Sequence, residues 1–398
     1  MHTEKTNFTF IESQSDLDLF YRQQQGIEWL CFDTEFVGEK RYTTSLCLLQ
    51  VTTAHGNYMI DPFKVPNLDP FLEFVENELI VKVTHAGDND YRLLNSLYGT
   101  VPKNIFDTQL AAAFSGYRYP ISFRKLVEVE LRVSLNKSYA VTDWEARPFT
   151  PKQLTYALED VLPLHDLWGI LEEKLERHGR LSWAMEEFRR MESPGFYAKD
   201  PNHDALNSDM MKSLNLREQV FLLRLFDWRR RTAEEKNYSK EMILPGKLIS
   251  QIVRGMSSGR DALLRNRRLP EKLIRTNIQL FEKLYKEPTT DAERLLLKQI
   301  PTEESEDPYD EMLQETLYLL VKYKCLENGV SPTLALPRAA IKKVRNGNEG
   351  LEDSLKNGWR KDLFGAELVE RILNFDKLEM EVTDSTIALK VEDGRMGR

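Results

Sequence analysis

Two carboxylates one residue apart, Asp33 and Glu35, interrupt the run WLCFDTEF, which is otherwise apolar and strand-forming. Side chains alternate faces along a strand, so the two acids emerge together and Thr34 points the other way. Ionised carboxylates held this close repel, and burying them unpaired is costly. A divalent cation is the simplest partner that removes the penalty, and hard cations take oxygen ligands. An exposed strand end carries the same pair without any ion. The spacing alone leaves both readings open.

The surrounding 180 residues alternate strand and helix signals. WLCFDTEF, SLCLLQVT and NYMID read as three consecutive strands, the last two joined at His55-Gly56-Asn57. A helix over 69–78 follows, then the strand LIVKVTHA and a helix from about Asn89, capped by Asp88 or Asn89. A short strand at 104–106 runs into a helix at 107–114, and Ser122 starts another through 129. A leading antiparallel meander followed by strand–helix units indicates a mixed sheet flanked by helices. Thr150-Pro151-Lys152-Gln153 combines an N-cap threonine, a first-turn proline and a capping-box glutamine. That helix passes through Tyr156 and Asp160, and Pro163 breaks or kinks it. A further helix covers 168–177.

Beyond this the pattern is helical. The chain divides into a domain over 1–190, a linker at 191–212, a helical domain over 213–290, a polar linker at 291–310, a second helical domain over 311–380, and a tail. At 398 residues, two or three domains is the expected number. No apolar run approaches the ~18 residues of a membrane span, and the N-terminal stretch MHTEKTNFTF lacks the features of a secretory signal. The cysteines are Cys31, Cys47 and Cys325, without C-x-x-C spacing, which favours a reducing, cytoplasmic setting over structural zinc. A net charge of −8 argues at face value against nucleic acid. The acids, however, concentrate in stretches such as TEESEDPYDE, while Arg229, Arg230, Arg231, Arg265, Arg267, Arg268 and Arg275 cluster in the first helical domain. A solvated helix surface and a phosphate-binding face both fit that cluster.

Two more acids stand at suggestive positions. Asp90, in HAGDNDYRLL, lies where a strand passes into a helix, at the edge where open α/β sheets place ligands; it equally complements the helix dipole. Tyr156 and Asp160 are four apart on a capped helix and share a face. D-x-E on a first strand, an aspartate at a later strand–helix junction and Y-x-x-x-D on a later helix together resemble the DEDD exonuclease family, in its tyrosine-bearing subclass. FDTQLAAAF and VTDWEARPFTPKQLTYALEDV resemble its ribonuclease D branch, over roughly residues 10–180. REQVFLLRLFDWRRRTAEEKN is similar to an HRDC domain, and GLEDSLKNGWRKDLFG to a second one. The histidine subclass places its histidine where Thr155 stands here.

The resemblance implies a mixed-sheet, ribonuclease H-like exonuclease domain followed by two small all-α HRDC-type domains. It implies a monomeric, metal-dependent 3′→5′ exoribonuclease that releases 5′-nucleoside monophosphates from RNA with a free 3′ end, tRNA precursors and other stable RNAs among them. Asp33, Glu35, Asp90 and Asp160 are then the metal-binding carboxylates for two divalent cations, Mg2+ or Mn2+. Asp33 bridges, Glu35 and Asp160 serve the water-activating ion, and Asp90 helps hold the ion near the leaving oxygen. Tyr156 orients the attacking water. The RNA preference and the direction rest on the resemblance, because four acids would serve DNA equally well; a DNA exonuclease and an idle RNA-binding scaffold are the rival readings.

Several side chains carry double expectations. Phe36 and Leu46 suit either base stacking or core packing. Gln50 and Asp143 suit hydrogen bonds to backbone or to substrate. Arg147 is expected to contact a phosphate or to pair with Glu145 or Asp143. Asp107 reads as a helix cap and His85 as a satisfied core histidine. Arg229, Arg230, Arg267 and Arg268 are the helical-domain candidates for RNA phosphates.

Overall fold

The structure is a computed structural model that describes residues 7–135, 142–298, 300, 308–345, 349–374, 378–382 and 387–391. These fall into two compact units. One draws on 1–36, 46–197 and 306–398, the other on 37–45 and 198–305.

The first unit begins with β1 (Thr9–Ile11), α1 (Gln14–Gln23), β2 (Trp29–Val37), β3 (Ser45–Thr53), β4 (Gly56–Ile60), α2 (Asp69–Glu76), β5 (Val81–Thr84) and α3 (Asp88–Tyr98). It continues through β6 (Ile105–Asp107), α4 (Thr108–Phe114), α5 (Phe123–Leu131), α6 (Pro151–Glu159), α7 (Leu164–Arg177) and α8 (Leu181–Met191). The strands form one six-stranded mixed sheet in the order β1-β4-β3-β2-β5-β6. β3 and β4 run antiparallel, whereas β1 with β4, β2 with β5, and β5 with β6 are parallel. The mixed sheet expected from the sequence is therefore present, with β1 added at its edge.

The sheet is apolar because it is covered. Leu30, Cys31 and Phe32 on β2, and Leu48, Leu49 and Val51 on β3, are all buried. Caps behave as the residues dictate. Thr150 and Gln153 form the expected reciprocal capping box on α6, and Ser122 caps α5. Pro163 separates α6 from α7, as a residue without an N–H must. One cap differs: Gly87, not Asp88 or Asn89, precedes α3, so that Asp88 is its first helical residue.

Helices from residue 308 onward pack on this same unit. Trp359 is fully buried, its ring 4.8 Å from Phe114 and its Nε1 donating to Glu187 at 2.7 Å. Arg360 donates to the same carboxylate at 2.7 Å, and Ser331 N donates to Ala113 O at 2.8 Å. A hairpin of Leu378–Val382 with Ile387–Val391 occupies part of the segment expected to be a tail.

The second unit is helical. Leu216–Lys236, capped by Asn215 and Glu218, Gly246–Ser257 and Glu271–Lys286 surround a core that includes Phe221, Leu225, Ile252, Val253 and Phe281. Among the described residues no helix is long and apolar enough to cross a membrane.

Candidate active site

β2 delivers Asp33 and Glu35, and the C-terminal end of α6 delivers Asp160, its C-cap residue. One carboxylate oxygen from each lies within 4.8 Å of the other two. Three acids so close raise one another's proton affinity. Burial pushes the Asp33 carboxyl well above the ordinary range, with Asp90, Asp160 and Glu35 adding to it. Burial, then Asp160 and Asp90, pushes Glu35 up to about 9. Asp160 rises to about 6 by burial, partly offset by the hydrogen bond it accepts from Tyr156.

Burial and neighbouring acids dominate all three, and no lysine or arginine is among the leading influences on them. A cluster of oxygen donors on which no protein cation is a leading influence fits a hard divalent ion. The 3.6-residue repeat of α6 puts Tyr156 one turn before Asp160, and its phenol bonds that carboxylate. Burial and the surrounding acids raise the phenol above its usual value, so it stays protonated and acts as a donor.

Asp90 is placed differently from the other three. It lies in the first turn of α3, is buried, and accepts from the hydroxyl of Thr34. Burial lifts its carboxyl to about 7, with the Thr34 hydroxyl pulling the other way. Strand alternation gave Thr34 no role. Here it ties Asp90 to β2 at the position between the two acids, a link across 56 positions that no local spacing signals.

The remaining candidates separate by burial and partners. Phe36 is 41% exposed beside Glu35, whereas Leu46 is buried in the core. Gln50 is fully buried, and its amide finds no hydrogen-bond partner among the described residues. Asp143 is exposed and accepts from Glu145 N at 3.0 Å. Asp107 caps α4 through Gln109 N and Leu110 N, and also accepts from Gly87 N. His85 is satisfied by Thr108 and the Ile121 carbonyl.

Arg147 pairs with Asp61, through Nε at 2.7 Å and Nη2 at 2.8 Å, and not with Glu145 or Asp143. Sequence reasoning missed Asp61; its one local sign is an acid closing a buried strand.

In the helical unit Arg229 is buried against Glu241 and the Lys240 carbonyl. Arg230 pairs with Asp227 and Glu234. Arg267 and Arg268 are exposed and make no ion pair among the described residues.

The chain is similar to known proteins over most of its length. Residues 8–176 match the profile of a 3′-5′ exonuclease family, and residues 218–284 that of the HRDC domain. Ribonuclease D of Bartonella henselae is 29% identical over 376 residues, 91% of each chain. Ribonuclease D of Sphingobium indicum is also 29% identical over 376 residues, 92% of each chain. The crystal structure of Escherichia coli RNase D, described as an exoribonuclease involved in structured RNA processing, superposes with a TM-score of 0.80 at 26% identity. That superposition covers 92% of this chain and 98% of that one. With a nuclease sheet that gathers three carboxylates, an HRDC unit later in the sequence and relatives alike along almost their whole length, this chain belongs to the ribonuclease D family of 3′-5′ exoribonucleases.

Proposed function

We propose that the chain trims RNA from its free 3′ end, releasing 5′-nucleoside monophosphates, with structured RNAs such as tRNA precursors as substrates. In this reading Asp33, Glu35 and Asp160, with Asp90 beside them, hold two divalent cations, Mg2+ or Mn2+. The observation that carries it is the meeting of three acids within 4.8 Å with no protein cation among the leading influences on them. Such ions, when bound, supply positive charge for the reacting phosphate and a more acidic water.

The side chains divide the rest of the work. Asp33, Glu35 and Asp160 supply the negative oxygens that the ions require. Thr34 orients Asp90 by donating to it. Tyr156, protonated and donating its one O–H to Asp160, orients the attacking water through its phenol oxygen as an acceptor and takes no proton itself. Phe36, exposed next to Glu35, offers a face for the terminal base. Arg267 and Arg268 contribute phosphate contacts from the helical unit. Arg229 and Arg230, already paired, serve that unit's structure.

The test is incubation with 5′-labelled RNA, structured and unstructured, and with a deoxyribo-oligomer of the same sequence, with and without EDTA. A ladder shortening from the 3′ end of RNA, stopped by EDTA and by Asp33→Ala, is the expected result. Activity that survives EDTA or the Asp33→Ala change contradicts the site, and a preference for the deoxyribo-oligomer contradicts the substrate.

A further inference from the structure

The segment 142–149 leads into the helix that carries Tyr156 and Asp160, and one arginine fastens it. Arg147 donates through Nε and Nη2 to the two oxygens of Asp61 and through Nη2 to Cys47 O at 2.7 Å. Its Nη1 donates to Trp144 O at 2.7 Å and Ala146 O at 3.1 Å. A guanidinium has five N–H groups, and all five are used here. The carbon of that group also lies 3.9 Å from the centre of the Phe149 ring and 4.7 Å from that of Phe63. No donor is left for a phosphate.

Both ends of this fastening are firm. Asp61 is fully buried directly after β4, and Cys47 belongs to β3. On the other side, Trp144 is 2% exposed, with its ring centre 6.3 Å from that of Tyr156. Gln153, in the first turn of α6, donates to Thr142 Oγ1 at 3.2 Å and to Asp143 O at 3.1 Å. A continuous chain of contacts therefore runs from β3 and the residue that follows β4 through Arg147 and Trp144 to Tyr156.

We propose that Arg147, held by Asp61, is a positioning residue: it sets the place of Trp144 and of the start of α6, and so the aim of Tyr156 and Asp160, without touching RNA. This rests on the role given above to Tyr156. Arg147→Lys separates charge from geometry. A lysine still neutralises buried Asp61, which protects the fold, but lacks the planar fork that reaches three carbonyls as well.

The experiment measures kcat and KM for single-stranded RNA, and RNA affinity against salt, for the wild type, Arg147→Lys, Tyr156→Phe and the double variant. Arg147→Lys should lower kcat about tenfold or more through misplacement and leave RNA affinity within about twofold, with the salt slope unchanged. Tyr156→Phe should cost less in the Arg147→Lys background than in the wild type, because the two act on one arrangement. If Arg147→Lys fails to fold by circular dichroism, Asp61→Asn, which keeps shape and one acceptor, carries the same comparison.

A normal kcat with weakened RNA affinity and a salt slope reduced by about 0.7 would make Arg147 a phosphate contact and overturn the proposal. Fully additive losses in the double variant would overturn it too. If Tyr156→Phe alone is silent, the reading of Tyr156 fails and the proposal falls with it. If Tyr156→Phe slows the enzyme but Arg147→Lys does not, the proposal alone fails.

Discussion

Glu35 shows at the scale of one residue what the site demands. Its carboxyl is pushed to about 9, that of Asp90 to about 7 and that of Asp160 to about 6, each by burial first. In the unfolded chain such acids titrate near about 4. Between that value and the folded one, the unfolded chain has released protons that the folded site still holds. The metal-free protein therefore loses stability as pH rises through this window. Divalent cations held by the ionised acids, as proposed above, would reverse the loss. The gain in melting temperature on adding Mn2+ should be larger at about pH 8 than at about pH 5.5, and it should shrink in Glu35→Gln. An equal gain at both pH values, or one indifferent to Glu35→Gln, would show that the ion stabilises the protein elsewhere.

At the scale of elements, the pair formed by α8 and the buried Trp359 ties the last helices to the nuclease sheet. Glu187 accepts from Trp359 Nε1 and from Arg360. Burial pushes its carboxyl up, but Arg360 and Arg190 outweigh burial and hold it below the usual range. Trp359→Ala removes a fully buried ring and one donor, and should cost about 3–5 kcal/mol, read as a lower denaturation midpoint of the nuclease unit. An unchanged midpoint would mean that the segment from 308 onward does not support that unit.

Elements with strong period or caps were legible in the sequence: β2, β3 and β4 by their apolar runs, α6 by its capping box, the break at Pro163 by a missing donor. β1 is three residues long, too short for any period. α1 carries few apolar residues, so its stripe is thin; only Leu17 and Phe20 are buried. Strand alternation and helix spacing, being local rules, put Asp33 with Glu35 and Tyr156 with Asp160 on shared faces; it was the family resemblance that named the four acids as one set. Their partners could not be named. Thr34 with Asp90 and Arg147 with Asp61 join residues 56 and 86 positions apart, and only the assembled fold brings them together.

At the scale of the whole molecule, an acidic chain must hold an acidic polymer. Of the arginines in the helical unit, Arg224, Arg229, Arg230 and Arg231 are engaged by Glu293, Glu241, Asp227 or Glu234, and their charge is largely spent. Arg267 and Arg268 keep theirs exposed. Replacing both with alanine should weaken RNA binding at low salt and reduce the salt slope by about 0.7 for each phosphate no longer neutralised, while Arg229→Ala should lower stability instead. An unaltered slope in the Arg267/Arg268 double variant would remove those two arginines from RNA binding. The proposed function stands on β2 and α6 together building a divalent-cation site. Anomalous scattering from a crystal soaked in Mn2+ tests it most directly. A manganese peak bound by Asp33, Glu35 and Asp160 is the predicted result; density maps that show those three carboxylates with no peak among them would contradict it.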